Sequence, residues 1–187
     1  MKIGVLRIGK VDDEVAERVR ERLGSDFADF KAELIADELE LPKETFDEIR
    51  AQYDADVMLQ WIKDYAEKQA RFDRILGIVD ADIFVPRLNF VFGVAEHPGI
   101  AALVSLWRLK PEFYEQSSKK ERLFERSAKE AVHELGHTLG LDHCANPFCV
   151  MHFSNSVQET DVKKNLFCSR CSVKAESAIE KTRANLE

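Results

Sequence analysis

The sequence predicts an α/β (α+β) fold, and three observations carry that expectation. Strand-like and helix-like segments alternate along the first half of the chain, which is the pattern of α/β proteins. The run Ile75-Leu76-Gly77-Ile78-Val79 is continuously apolar, as a strand covered on both faces must be. The 187 residues are 45% apolar with only 8 Gly and 5 Pro, enough for one domain (1–187) that buries roughly 70% of its unfolded surface.

Residues 2–8 read as a short strand, and Asp12 and Asp13 open an amphipathic helix whose Val15, Val19 and Leu23 share one face until Gly24 stops it. A weak strand spans Phe30 to Ile35. Pro42 begins a short helical turn containing Phe46 and Ile49, and a further helix carries Val57, Met58, Trp61, Ile62 and Tyr65. Two apolar segments, Leu88 to Ala95 and Ile100 to Leu109, are split by Glu96-His97-Pro98-Gly99, a break that suits a hairpin-like connection with one segment at the sheet edge. From about Ser117 one long helix runs through Ala128, Ala131 and Leu135 as far as Gly140. An irregular segment around Pro147 follows, and Cys171 to Leu186 is again helical in composition.

Lys and Arg number 27 against 34 Asp and Glu, a net charge of −7, so the basic footprint of a nucleic-acid or anionic-lipid partner is missing. The longest apolar stretch falls short of the roughly 20 residues that span a bilayer. Arg7 breaks the first apolar run after four residues, unlike a signal peptide. The expectation is a cytoplasmic protein without a membrane or nucleic-acid partner; no feature specifies an oligomeric state. Cys144, Cys149, Cys168 and Cys171 all lie in the last quarter, where a reducing compartment favours metal binding or catalysis over disulfides.

His133-Glu134-Leu135-Gly136-His137-Thr138-Leu139-Gly140-Leu141-Asp142-His143 holds three of the five histidines. A spacing of four on a helix sets His133 and His137 side by side, so both imidazoles can reach one ion. Glu134 flanks that face and can address a water without ligating the metal. Gly140 permits the left-handed turn that brings His143 back as a third ligand. Three nitrogens leave the fourth tetrahedral position for water, the mark of a catalytic zinc, and the chemistry that follows is amide hydrolysis with Glu134 as general base. Chance would produce this pattern with a probability on the order of one in 10⁵ at this composition, so a histidine-rich helix end without metal is the weaker reading. His97 and His152 read as ordinary polar residues, with substrate contact as the alternative.

Cys144-x-x-x-x-Cys149 and Cys168-x-x-Cys171 form two thiol clips of the kind that close a four-sulfur zinc site, which has no open position and is therefore structural. Two disulfides would require an oxidising compartment, an iron–sulfur cluster other spacings, and a nucleic-acid-binding zinc ribbon more basic surroundings.

At these residues the sequence resembles the metzincin metallopeptidases and, among them, the archaemetzincins. The likeness rests on the zinc motif from His133 to His143 and on Met151, where metzincins have a methionine turn beneath the metal. It is narrowed by Cys144 directly after the third histidine, by Cys149-Val150-Met151 and by Cys168-x-x-Cys171. The resemblance implies a mixed, twisted sheet packed on helices, an N-terminal subdomain, 1–143, whose zinc helix floors a horizontal cleft, and a small zinc-stabilised C-terminal subdomain, 144–187, below it. It also implies two zinc ions, one catalytic and one structural on the four cysteines, and an edge strand at Asn89-Phe90-Val91-Phe92-Gly93 that holds an extended peptide or protein substrate. Residues 152–160 contain no tyrosine of the kind that assists some metzincins. The function expected is a zinc-dependent peptidase; the alternative is a catalytically weak zinc protein acting as a peptide-binding or regulatory module.

Overall fold

A computed structural model describes residues 1–26, 30–69 and 71–184. In chain order the elements are β1 (Lys2–Ile8), α1 (Asp13–Asp26), β2 (Lys31–Leu39), β3 (Phe46–Asp47), β4 (Gln52–Asp54), α2 (Ala55–Lys68), β5 (Arg74–Val79), β6 (Ile83–Phe84), β7 (Gly93–Ala95), β8 (Ala101–Ser105), α3 (Lys120–Thr138), α4 (Val157–Val162) and α5 (Ser169–Ala184). Single 3₁₀ turns lie at Lys43–Thr45, Trp107–Leu109 and Pro111–Tyr114.

The main sheet has the order β2-β1-β5-β8-β7, parallel except for β7, which runs antiparallel along β8 at the edge. The continuous apolar run of β5 is explained by its central place. Leu76 and Ile78 enter one core with Ile3, Val5, Ala102, Val104 and residues of α1, α3 and α5, whereas Ile75 and Val79 enter a second core with Leu6, Ile8, Leu103 and α2. Helices therefore cover both faces, and side chains alternate between the two layers as strand geometry requires. On α2, Ala55, Met58, Ile62 and Ala66 recur at helical spacing on the buried face, and the Asp54 side chain caps the first turn by accepting from the N–H groups of Asp56 and Val57.

Several boundaries differ from the sequence-based expectation. Gly24 does not stop α1, which continues to Asp26, because Leu23 remains packed in the core. The 42–49 segment is not a helical turn around Phe46 and Ile49: the turn ends at Thr45 and Phe46 begins β3, which joins β4 and β6 in a second sheet. The edge strand is Gly93–Ala95 and not 89–93, since residues 89–91 are drawn off the sheet, although the Phe92 carbonyl still accepts from Ser105. The Arg50 guanidinium holds the carbonyls of Leu88 and Asn89, while the Val91 N–H donates to Ile83. The last helix begins at Ser169, and Leu186 lies outside the described residues.

The helix that positions the site, α3, is buried at almost every residue from Phe124 to Thr138. Its polar residues are accounted for individually. Arg126 makes two 2.7 Å bonds to Asp161 and a third to the Leu109 carbonyl, and Glu130 pairs with the fully buried Lys163 at 2.9 Å. These bonds clamp α4 against the middle of α3, directly ahead of the histidines.

Candidate active site and metal centres

The end of α3 is a Schellman turn. Leu141 N–H donates to the Gly136 carbonyl at 3.1 Å, Gly140 N–H to that of His137 at 2.8 Å, and Gly140 sits at φ +81°, a conformation that favours glycine. The chain reverses there and returns His143 to the other two histidines, as its spacing predicts. The His143 ring lies 4.8 Å from that of His137 and 5.3 Å from that of His133, centroid to centroid. One nitrogen from each of the three lies within 4.8 Å of the others.

The Nδ1–H of His133 donates to the Val150 carbonyl at 2.8 Å and that of His137 to the Leu141 carbonyl at 2.7 Å. A carbonyl only accepts, so both protons sit on Nδ1 and both Nε2 atoms carry lone pairs. Those Nε2 atoms are 3.2 Å apart. Two facing lone pairs repel unless a cation lies between them, and nitrogens at about 2.05 Å on two corners of a tetrahedron are separated by about 3.3 Å. Burial lowers the pKa of all three imidazoles, His137 to about 4 and His133 well below its ordinary value, with the Lys163 ammonium adding to the effect on His133 and His143. They are neutral at pH 7, the form a metal needs.

Glu134 is 5% exposed, and its carboxylate makes no hydrogen bond or ion pair with any described residue. Burial, then the Glu130 carboxylate one turn earlier, raises its pKa well above the ordinary range and makes it a stronger base. Met151 is fully buried beneath the histidines, against Gly136, where any side chain would collide with its sulfur. This apolar cushion is the place the sequence assigned to it.

The four cysteines form the second cluster, with one Sγ from each within 4.8 Å of the others and no disulfide among them. Cys144 and Cys168 sulfurs are 3.8 Å apart, about the edge of a tetrahedron with 2.3 Å metal–sulfur bonds. An amide hydrogen bond from Cys171 lowers the pKa of Cys168 to about 7, whereas burial raises those of Cys149 and Cys171. Both donor sets fit zinc in number, type and spacing.

The cleft above the histidines measures about 460 Å³ and is walled by the 88–95 segment on one side and by Phe153, Ser154 and Asn155 on the other. The Phe153 ring packs 4.8 Å from that of His143, without a hydroxyl to offer. His97 and His152 are not among the cleft-lining residues: His97 Nε2 lies 3.4 Å from Asp142, and His152 Nδ1–H donates to the Cys144 carbonyl at 2.9 Å. Glu130, Asp56, Leu59, Phe153, Ser154 and Asn155 line the cleft without having been marked by the sequence motifs. Only Glu130, four positions before Glu134 on one helix face, left a readable signal.

Zinc-compatible histidines on a buried helix, an adjacent unpaired carboxylate and a cleft beneath an edge strand together define a metallopeptidase of the metzincin kind. Residues 7–177 match the profile of peptidase family M54. The chain is 40% identical over 182 residues to archaemetzincin from Pyrococcus abyssi, covering 95% of this chain and 96% of the relative. The structure is similar to that of archaemetzincin from Methanopyrus kandleri, with a TM-score of 0.83 and 33% identity over 96% of each chain. It is also similar to that of a zinc-dependent peptidase from Methanocorpusculum labreanum, with a TM-score of 0.84 and 31% identity over 92% of this chain and 99% of that one. The chain belongs to peptidase family M54, the archaemetzincins, and is a zinc metallopeptidase.

Proposed function

We propose that this protein hydrolyses peptide bonds with a zinc held by His133, His137 and His143 and with Glu134 as general base, and that Cys144, Cys149, Cys168 and Cys171 hold a second, structural zinc. The observation that carries the reading is the 3.2 Å approach of two lone-pair-bearing Nε2 atoms beside a carboxylate with no partner of its own. Zinc, when bound, supplies Lewis acidity, polarising a carbonyl and making water acidic near neutral pH. Glu134 takes the proton of the attacking water on a carboxylate oxygen engaged by no described residue, then delivers it to the departing amine nitrogen as the C–N bond breaks. The histidines hold their geometry because each committed Nδ1–H fixes its ring.

The substrate is an extended peptide or protein segment. Phe92 C=O accepts from Ser105 and Glu96 N–H donates to Ala101, so the residues of β7 that pair with β8 alternate, leaving the amides and carbonyls of Gly93 and Ala95 to the outer edge. A substrate strand adds there. The four unpaired thiols suit the reducing cytoplasm, and no helix of the described residues is long and apolar enough to cross a membrane.

The test is digestion of a peptide library by zinc-loaded protein and by Glu134→Ala, with metal content measured on both. Cleavage by the parent, lost in the variant at unchanged zinc content, is expected. Hydrolysis that persists in the variant removes Glu134 as the base; binding of peptides without cleavage by the parent makes the protein a peptide-binding module instead.

A further inference from the structure

Gly93 opens the edge strand beside the cleft, and there is no room for a side chain on it. A Cβ built on its backbone would stand 2.6 Å from both Cγ and Oε1 of Glu134 and 2.7 Å from the Leu103 carbonyl oxygen. The Glu134 side chain runs through the space that any other residue at position 93 would fill.

Two other reasons for a glycine here fall away. Its φ is not positive, in contrast to Gly9 and Gly140, so the backbone conformation does not demand it. Glycine within a strand is also unfavourable by roughly 0.5–1 kcal/mol relative to alanine, so strand propensity opposes it. Close approach is what remains. The approach matters because no described residue bonds to the Glu134 carboxylate, so packing against its neighbours sets where that group points.

We propose that Gly93 is a positioning residue for Glu134: its missing side chain is the slot that seats the carboxylate beneath the edge strand. The inference rests on Glu134 acting as the base. It ties the strand against which a substrate lies to the residue that moves the proton, so one backbone position sets both the height of the bound peptide and the place of the base.

The experiment is a double-mutant cycle of Gly93→Ala and Glu134→Ala, read by thermal unfolding of the zinc-loaded proteins, together with kcat and KM of Gly93→Ala. Overpacking lowers Tm by roughly 3–10 °C in the parent. In the Glu134→Ala background the loss is smaller by at least about 3 °C, because the slot is vacated while the Leu103 oxygen stays. Equal losses in both backgrounds overturn the proposal. If Gly93→Ala does not fold, folding of the double variant supports the slot, and failure of both assigns the clash to Leu103 and overturns it. With zinc content unchanged, kcat of Gly93→Ala falls about 100-fold while KM moves within about threefold. A change in KM with kcat unchanged would confine Gly93 to holding the substrate strand, with no hold on the base, and overturn the proposal. Should Glu134→Ala itself retain hydrolysis, the base assignment fails, whereas the thermal cycle still reports on the seat.

Discussion

The Val150 carbonyl accepts the Nδ1–H of His133 at 2.8 Å, and this bond joins the histidine and cysteine clusters through one stretch of backbone. Val150 follows Cys149, its own N–H donates to Leu166, and the Cys149 sulfur accepts from the Cys168 N–H. Cys144 N–H donates to the Met151 carbonyl in the same stretch. An ion held by the thiolates therefore holds the carbonyl that aims the imidazole.

Removing the cysteine site should accordingly weaken the histidine site. Cys149→Ser with Cys171→Ser is expected to lose one zinc and to lower the affinity of the other by about 10–100-fold, the effect of releasing a ligand's outer hydrogen bond. Competition with a graded series of chelators measures it. An unchanged histidine-site affinity would show the two centres to be independent.

Metal-free protein should lose stability on acidification through the imidazoles. The folded-state pKa of His137 is lowered to about 4 by burial, and those of His133 and His143 are lowered for the same reason. Between about pH 6.5, where the unfolded chain takes up these protons, and about pH 4 for His137, the unfolded state binds more protons, so stability is lost as the pH falls. Glu134, whose pKa is raised, acts in the opposite direction, so Glu134→Gln isolates the histidines. In that background, Tm of the chelator-treated protein should drop from pH 7 to 4, and adding His137→Gln should flatten the curve.

Lys163 and Glu130 are 0% and 4% exposed as side chains and 2.9 Å apart, so removing either strands a buried charge. Lys163→Met should cost about 3–5 kcal/mol, whereas Lys163→Met with Glu130→Met should recover most of that loss. Urea unfolding midpoints at constant m-value test both. A double variant no more stable than Lys163→Met alone would assign the loss to packing.

Local chemistry was legible wherever it depended on spacing along one helix or across one turn. The facing of His133 and His137, the left-handed Gly140 and the return of His143 follow from helical periodicity and from glycine's lack of a Cβ. The central strand at 75–79 was equally plain, since apolar patterning reports burial directly, whereas on α2 the pattern marked Met58 and Ile62 but missed Ala55 and Ala66, and Val57 is exposed. Less legible were the ends of elements. Gly24 lies inside α1 because packing of Leu23 outweighs a glycine's modest helix penalty, and Phe46 is a strand residue because β4 lies ready to pair with it.

By itself the sequence determined the candidate donor types, their order and the class of chemistry they suit, because each is read from the spacing within a short motif. Tertiary structure alone decided that the Val150 carbonyl fixes the His133 imidazole, that Lys163 and Glu130 meet, and that Glu134 lies in the space above Gly93. The bonds from His133 to Val150 and from Glu130 to Lys163, and the contact of Gly93 with Glu134, join residues 17, 33 and 41 positions apart in the chain. Their geometry arises from how the sheet and helices stack, and no periodicity in a linear sequence encodes the distance between two stacked layers.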